Sequence, residues 1–250
     1  MWNRVDSLYI VMPAYNEAEN LPDVVREWYP VVETYHGDGR SRLVIVNDGS
    51  RDDTLAVLRK LAATHSRLVV LDKGNSGHGA TLLYAYQYAL DHGADYIFQT
   101  DSDGQTRPAE FAAFWAQREA YPVLIGNRNH REDGFSRVVV TKVLKLVLFC
   151  IFGMAVTDAN TPFRLMRRDV LAEYLPDVPK DFNLSNVMLT VLFLYNNVRV
   201  RFLPITFRPR QGGVNSINLP RICRIGLRAV RDFCTIRRHM HRHASSHGNA

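Results

Sequence analysis

Cysteine is scarce in this chain. The 250 residues hold three, Cys150, Cys223 and Cys234, an odd number with no C-x-x-C pair. That excludes a disulfide framework and a cysteine zinc site and points to reduced thiols in a cytoplasmic setting. Long apolar runs are absent as well. The most apolar window, Val138–Val156, is interrupted by Lys142 and Lys145, and its uncharged part Leu146–Val156 is eleven residues long. That is too short to cross a bilayer. Met1–Ser7 is polar, so no signal peptide is expected. No internal repeat and no low-complexity stretch is present, which excludes a solenoid or a compositionally disordered chain. Acids almost disappear at the C-terminal end, where residues 201–250 carry ten arginines, no lysine and one acid, Asp232. Against a whole-chain charge of +6, the first 200 residues therefore carry about −3. A basic end of this kind suits an anionic membrane surface, a nucleic acid or an acidic partner.

What is present is the composition of a globular protein, 46% hydrophobic and 22% charged. Short apolar runs alternate with helical patterns. Leu8–Met12, Leu43–Asn47, Leu68–Leu71, Tyr96–Thr100, Val123–Gly126 and Val198–Ile205 predict strands. Helices are predicted over Leu21–Tyr29, Thr54–His65, His78–Leu90, within Val138–Val156, and over Asp181–Tyr195. Pro22 suits a first helical turn, and Ser50, Asp52 and Asp53 supply capping groups before Thr54. The β-α-β order predicts an α/β fold, a single doubly wound domain over residues 1–218 with a mostly parallel sheet flanked by helices. Residues 219–250 predict a basic amphipathic helix, Leu219–Met240, and a disordered tail. Arg221, Arg224, Arg228 and Arg231 recur at helical spacing there, with Ile222, Ile225, Ala229, Phe233 and Ile236 on another face. Such a helix either packs on the main domain or lies at a membrane interface.

The strongest chemical signal is Gln99-Thr100-Asp101-Ser102-Asp103-Gly104-Gln105. A strand runs into two carboxylates spaced i, i+2, and ligands of open α/β sheets bind at the carboxyl ends of strands. Two such aspartates offer hard oxygens to Mg2+ or Mn2+, which commonly share their shell with substrate phosphates. Strand one ends in Pro13-Ala14-Tyr15-Asn16-Glu17 and strand two in Asn47-Asp48-Gly49-Ser50. Tyr15 can stack on a ring, Asp48 can accept from a base N–H, and Gly49 permits close backbone approach. Asp48-Gly49-Ser50 taken alone is also an ordinary turn that starts a helix.

Together PAYNEAENL, VNDGSRDDT, the loop Lys73–Ala80 and DSDGQ, in that order, resemble the family 2 glycosyltransferases of the GT-A fold, a Rossmann-like α/β architecture. The resemblance covers residues 8 to about 128. It implies nucleotide-sugar binding by Pro13, Ala14, Tyr15, Glu17, Asp48, Lys73 and Ser102. It also implies a metal on the donor diphosphate held by Asp101 and Asp103, with Gln105 beside them. The second half is most similar to the polyprenyl-phosphate and dolichyl-phosphate glycosyltransferases. Ile125-Gly126-Asn127-Arg128 resembles that group's G-S-R segment, and Arg137 and Thr141 fall where it has an Arg and a Ser on the acceptor phosphate. Asp158–Arg164 resembles its D-x-x-S-G-F-R, and Arg210–Ser216 its R-x-x-G-x-S-K. The resemblance thus gives Arg128, Arg137, Thr141, Asp158 and Arg164 to the acceptor, while Arg128 and Arg210 join the two aspartates at the reacting groups. Asp158 has a structural alternative as a cap for the following turn. Pro162 replaces the group's glycine, and Asn215 and Ser216 replace its Ser and Lys. A cation near the diphosphate is therefore missing, and Arg208 or Arg210 is its replacement.

The implied activity is inverting transfer of a sugar from a UDP- or GDP-linked donor to a polyprenyl phosphate, in cell-envelope glycan synthesis. The place implied is the cytoplasm, peripherally at the inner membrane face. Departure of a nucleoside diphosphate needs a metal and cations against its growing charge. A phosphate acceptor needs arginines and no general base. A sugar-hydroxyl acceptor on a glycan is the competing reading, with Asp181 as base. A third is a non-catalytic nucleotide-sugar-binding subunit, against which the intact Asp48, Asp101 and Asp103 argue. Nucleic-acid binding has only the basic end in its favour and is not expected. A homo-oligomer or a membrane protein partner completes the partners considered.

Overall fold

The computed structural model describes residues 5–128, 135–154, 156, 158–208, 230–234 and 237, with the side chains of 135–143 excepted. Its centre is a seven-stranded sheet in the order β3-β2-β1-β4-β6-β5-β7. The strands are β1 (Leu8–Ala14), β2 (Arg42–Asp48), β3 (Leu68–Lys73), β4 (Tyr96–Thr100), β5 (Val123–Arg128), β6 (Phe163–Arg167) and β7 (Val200–Ile205). All pair in parallel except β6, which runs antiparallel between β4 and β5. The predicted α/β, mostly parallel architecture is the one observed. Strand β6 is not among the strands that the sequence predicts. It carries the FR part of the second-half motif, and five residues with a polar second position give little periodic signal.

The helices are α1 (Leu21–Thr34), α2 (Thr54–Ala62), α3 (His78–Asp91), α4 (Phe111–Trp115), α5 (Phe135–Phe152), α6 (Arg168–Tyr174) and α7 (Ser185–Tyr195). On α1 the buried residues Leu21, Val24, Val25, Trp28 and Val32 follow helical spacing and form its core-facing stripe. They meet Phe98, Phe111 and Phe163 beneath one face of the sheet. Trp28 lies tilted 5.4 Å from Phe98, and Phe163 makes edge contacts with Phe98 and Phe114 at 4.7 and 4.8 Å. Each such pair adds about 0.5–1.5 kcal/mol beyond the area it buries.

The opposite face is different. Helix α7 is buried from Ser185 to Phe193 with no exposed side, and it packs with α3. Alternation along β4 sends Tyr96 and Phe98 to the aromatic core and Ile97 and Gln99 to the other face. Gln99 and its cross-strand partner Arg164 are both fully buried.

The chain divides into two compact units, Met1–His130 with Asn160–Val214, and Arg131–Ala159 with Asn215–Ala250. The first contains the whole sheet. In the second, Leu148 and Phe152 of α5 are buried, and Phe152 makes an edge contact of 5.8 Å with the buried Phe233. Leu146 and Phe149 of α5 are exposed at 62% and 57%. Among the described residues no helix is long and apolar enough to cross a membrane. Residues 230–234 are helical. The rest of the expected Leu219–Met240 helix, apart from residue 237, the expected boundary at 218/219 and the tail lie outside the described residues.

Candidate active site at the carboxyl edge of the sheet

Because β1, β2, β3, β4 and β5 point the same way, the segments that follow them emerge at one edge of the sheet. The loops after β1 and β2 are laced together. Asn16 N donates to Ser50 Oγ at 3.0 Å, Glu17 N to Thr54 Oγ1 at 2.9 Å, and Arg51 N to Asn16 Oδ1 at 2.9 Å. Asn16 adopts a left-handed φ of 55° at the bend. Tyr15 projects outward at 39% exposure, as a stacking side chain needs. Glu17, by contrast, is buried and accepts from Asn20 Nδ2 at 2.5 Å. Ala14 is buried, and the Pro13 carbonyl accepts from Ser102 Oγ at 2.7 Å. Ser102 thereby ties the turn after β4 to the end of β1.

Asp48, expected against a nucleotide base, is 3% exposed and its carboxylate is heavily engaged. Oδ1 accepts from Lys73 Nζ at 2.5 Å and Ser76 N at 2.9 Å, and Oδ2 accepts from Gly77 N at 2.9 Å. It therefore occupies the N-terminus of α3, where a negative charge is favoured. Lys73 Nζ also reaches Gly74 O, Ser76 Oγ and Thr81 Oγ1. Asn75 Nδ2 donates to Asp48 O at 2.8 Å. Gly49 makes this closure possible. Its φ is +62°, and a Cβ there would lie 2.6 Å from Asn75 N. Burial pushes the Asp48 carboxyl up, but its bonds from Lys73, Ser76 and Thr81 outweigh that and hold it below the ordinary aspartate value. A depressed carboxylate stabilises the fold above its unfolded pKa, and that contribution is lost as pH falls through the folded value. Asp48→Asn is therefore expected to lower the melting temperature at neutral pH. The gap from wild type should close below the ordinary aspartate value of 3.8. A pH series of thermal melts checks this, and parallel curves at all pH would remove the clamp.

The metal-candidate carboxylates sit on the turn after β4. Asp101 is partly exposed, with Oδ1 3.3 Å from Gln99 Nε2 and 3.8 Å from His78 Nε2. Asp103 Oδ1 accepts from Gln105 N at 3.1 Å. Among the described residues no cluster of three or more His, Cys, Asp or Glu groups forms a closed metal site. Two carboxylates on one turn fit a divalent cation that takes its other oxygens from a diphosphate and water. Gln105 turns its amide to the Arg208 carbonyl at 3.1 Å, while Arg208 N donates back to Gln105 O at 2.8 Å. Arg208, one expected replacement cation, pairs with Glu27 and donates to Thr106 O. Arg210 lies outside the described residues.

The acceptor candidates are divided between the two units. Arg128 ends β5 with its guanidinium 5.2 Å from the Phe207 ring. Arg137 and Thr141 fall one turn apart on the backbone of α5, and their side chains are outside the described set. Asp158 is buried within the second unit. Arg164 is fully buried in the first unit. It donates to Thr161 O at 3.1 Å, Asn186 O at 3.0 Å and Thr190 Oγ1 at 3.4 Å. These bonds hold α7 against the sheet. Asp181, the base of the glycan reading, is exposed ahead of α7.

Sequence reasoning missed Gln99, Asn186 and Tyr86, which join Asp101 in one buried set of hydrogen bonds. The signal was present. Gln99 is a polar residue near the end of an apolar strand, and Asn186 and Thr190, with Ser185, are the polar residues in a helix that is otherwise apolar through Phe193.

The sequence profile described as Glycosyl transferase family 2 matches residues 9–175, from the start of β1 through the end of α6. The chain belongs to this glycosyltransferase family. Among its relatives, this family 2 glycosyltransferase is 28% identical over 218 residues to a polyprenol monophosphomannose synthase of Mycolicibacterium smegmatis, covering 84% of this chain and 80% of that one. It is 29% identical over 166 residues to an undecaprenyl-phosphate 4-deoxy-4-formamido-L-arabinose transferase of Pseudomonas savastanoi, covering 65% and 48%. The match thus spans about half the length of that second relative. Glucosyl-3-phosphoglycerate synthase from Mycobacterium tuberculosis, solved with Mn2+, UDP-glucose and phosphoglyceric acid, shares the fold with a TM-score of 0.67 at 17% identity. That likeness covers 93% of this chain and 79% of that one.

Proposed function

We propose that this glycosyltransferase moves a sugar, with inversion, from a nucleoside-diphosphate sugar to a polyprenyl phosphate. One observation carries the acceptor. The two relatives differ in the sugar their names state, yet both names state a polyprenol-type phosphate chemistry. The likeness therefore supports the acceptor class and leaves the sugar open.

In this reading Tyr15 lies on the nucleotide and the Asp48–Lys73 clamp shapes the loop beside it. Asp101 and Asp103 hold Mg2+ or Mn2+, which, when bound, draws off the charge of the departing diphosphate. The solved neighbour holding Mn2+ with UDP-glucose supports a divalent ion without choosing between the two. Arg210 is the further cation. Arg128 and Arg137 bind the acceptor phosphate, whose own oxygen attacks, so no side chain need remove a proton. The protein meets the membrane peripherally, on its cytoplasmic face. The exposed Leu146 and Phe149 and the arginines beyond residue 200 support that attachment.

The test is release of UDP or GDP from a panel of nucleotide sugars with Mn2+ and polyprenyl phosphate in anionic vesicles, at low and high salt. Arg128→Ala and Arg137→Ala are each expected to raise the KM for the lipid phosphate about tenfold or more, the loss of a charge-assisted bond of about 1.5–3 kcal/mol. Asp181→Asn is expected to retain activity, and high salt to weaken use of vesicle-borne acceptor. Loss of activity in Asp181→Asn with both arginine variants unaffected would replace the lipid phosphate by a glycan hydroxyl.

A further inference from the structure

A line of buried amides runs from the interior of the first unit to the candidate metal site. Tyr86 on α3 donates its hydroxyl to Asn186 Oδ1 at 3.2 Å. Asn186 on α7 donates Nδ2 to Gln99 Oε1 at 3.1 Å. Gln99 on β4 donates Nε2 to Asp101 Oδ1 at 3.3 Å. Tyr86 and Gln99 are fully buried and Asn186 is 2% exposed. Three separate elements of the fold thus contribute to one directed chain of bonds.

The direction is dictated by its last member. An ionised carboxylate only accepts, so Asp101 must face the amide nitrogen of Gln99. Gln99 then offers its oxygen to Asn186, Asn186 must present nitrogen to Gln99 and oxygen to Tyr86, and Tyr86 must donate. Burial raises the Tyr86 phenol well above its ordinary value, so it keeps the proton this order requires. The backbone of the middle member is held as well. The Asn186 backbone carbonyl accepts from Arg164 Nη1 at 3.0 Å and from Thr190 Oγ1 at 2.8 Å. Buried polar groups that are satisfied in this way hold one arrangement, because any amide flip sets like against like.

We infer that Gln99, backed by Asn186 and Tyr86, is a positioning residue that orients the Asp101 carboxylate for the divalent cation. The inference rests on Asp101 being a ligand of that cation. Groups behind a metal ligand fix its orientation, and their loss typically costs about 10–100-fold in metal affinity or activity. Gln99 touches neither donor nor acceptor in this scheme. Its effect reaches the reaction only through Asp101.

The experiment measures Mn2+ binding directly, by the EPR signal of free Mn2+, in the presence of UDP and separately of GDP. Wild type, Gln99→Met and Tyr86→Phe are compared after thermal melts establish the folded fraction. Gln99→Met keeps an unbranched side chain of similar length and removes both bonds. It is expected to weaken Mn2+ binding to the folded protein about tenfold or more. Tyr86→Phe leaves Gln99 in place, removes one distant hydroxyl, and is expected to weaken binding by a factor smaller than the about tenfold for losing the outer-shell partner itself. A lower melting temperature with Mn2+ affinity within about twofold of wild type in both variants would mean a packing role only and would overturn the inference. If Gln99→Met does not fold, Tyr86→Phe decides alone, and wild-type Mn2+ affinity in that variant rejects the relay. If wild type binds no Mn2+ with either nucleotide, the metal assignment of Asp101 and Asp103 falls and the inference with it.

Discussion

Asp103→Ala is expected to cut turnover by at least about a hundredfold, the scale of removing one electrostatic stabiliser of a charged leaving group. The fold should survive it. Asp103 lies on a turn at the sheet edge, outside the hydrophobic core, with its carboxylate bonded to Gln105 N at 3.1 Å. The decisive pairing is steady-state turnover with saturating Mn2+ beside a thermal melt of the same preparation. EDTA should abolish wild-type turnover, and Mn2+ should restore it. Full activity in the Asp103→Ala protein, or in EDTA, would remove the metal from the mechanism. An inactive wild type that still binds nucleotide sugar would favour the non-catalytic binding subunit instead.

Arg164→Met should act in the opposite way, with a large cost to stability and a small one to acceptor binding. The guanidinium is fully buried and bonds to Thr161 O, Asn186 O and Thr190 Oγ1. Bonds from a charged group contribute about 1.5–3 kcal/mol, and a buried carbonyl left without its donor adds a further penalty. A total of about 3 kcal/mol corresponds to a fall in Tm of roughly 6–12 °C for a domain of this size. Differential scanning calorimetry reads it, with the KM for polyprenyl phosphate measured at a temperature where the variant is folded. An unchanged Tm together with a raised acceptor KM would return Arg164 to the acceptor role that its motif implies.

Arg164 also shows where reading the chain stops. The motif from Asp158 to Arg164 was legible, and so was its likeness to an acceptor-binding segment. Nothing in the residue order says that the strand carrying Arg164 runs antiparallel between β4 and β5, or that its guanidinium is bonded to α7. Asp48 is a milder case. Its place at the end of β2 was plain, whereas its engagement by Lys73, Ser76 and Gly77 depends on a neighbouring strand and loop. Gln99 opens the most conspicuous motif in the chain, but its bond to Asn186 could not be read there, because that partner is 87 residues away.

The sequence by itself determined the local matters. Runs such as Leu43–Val46 and the spacing of Leu21, Val24, Val25 and Trp28 settle strand and helix, since side-chain periodicity follows from backbone geometry. Two aspartates at the end of an apolar strand offer paired oxygen donors of the kind a hard cation takes, since the donors and their spacing are local. The tertiary structure alone decided which charges face solvent and which are held inside. A carboxylate, a guanidinium or an amide takes its role from what surrounds it, and those surroundings come from segments far apart in the chain. Burial then demands that each polar group find a partner. In this glycosyltransferase that demand committed Arg164 to α7, Arg208 to Glu27 and Gln99 to Asn186.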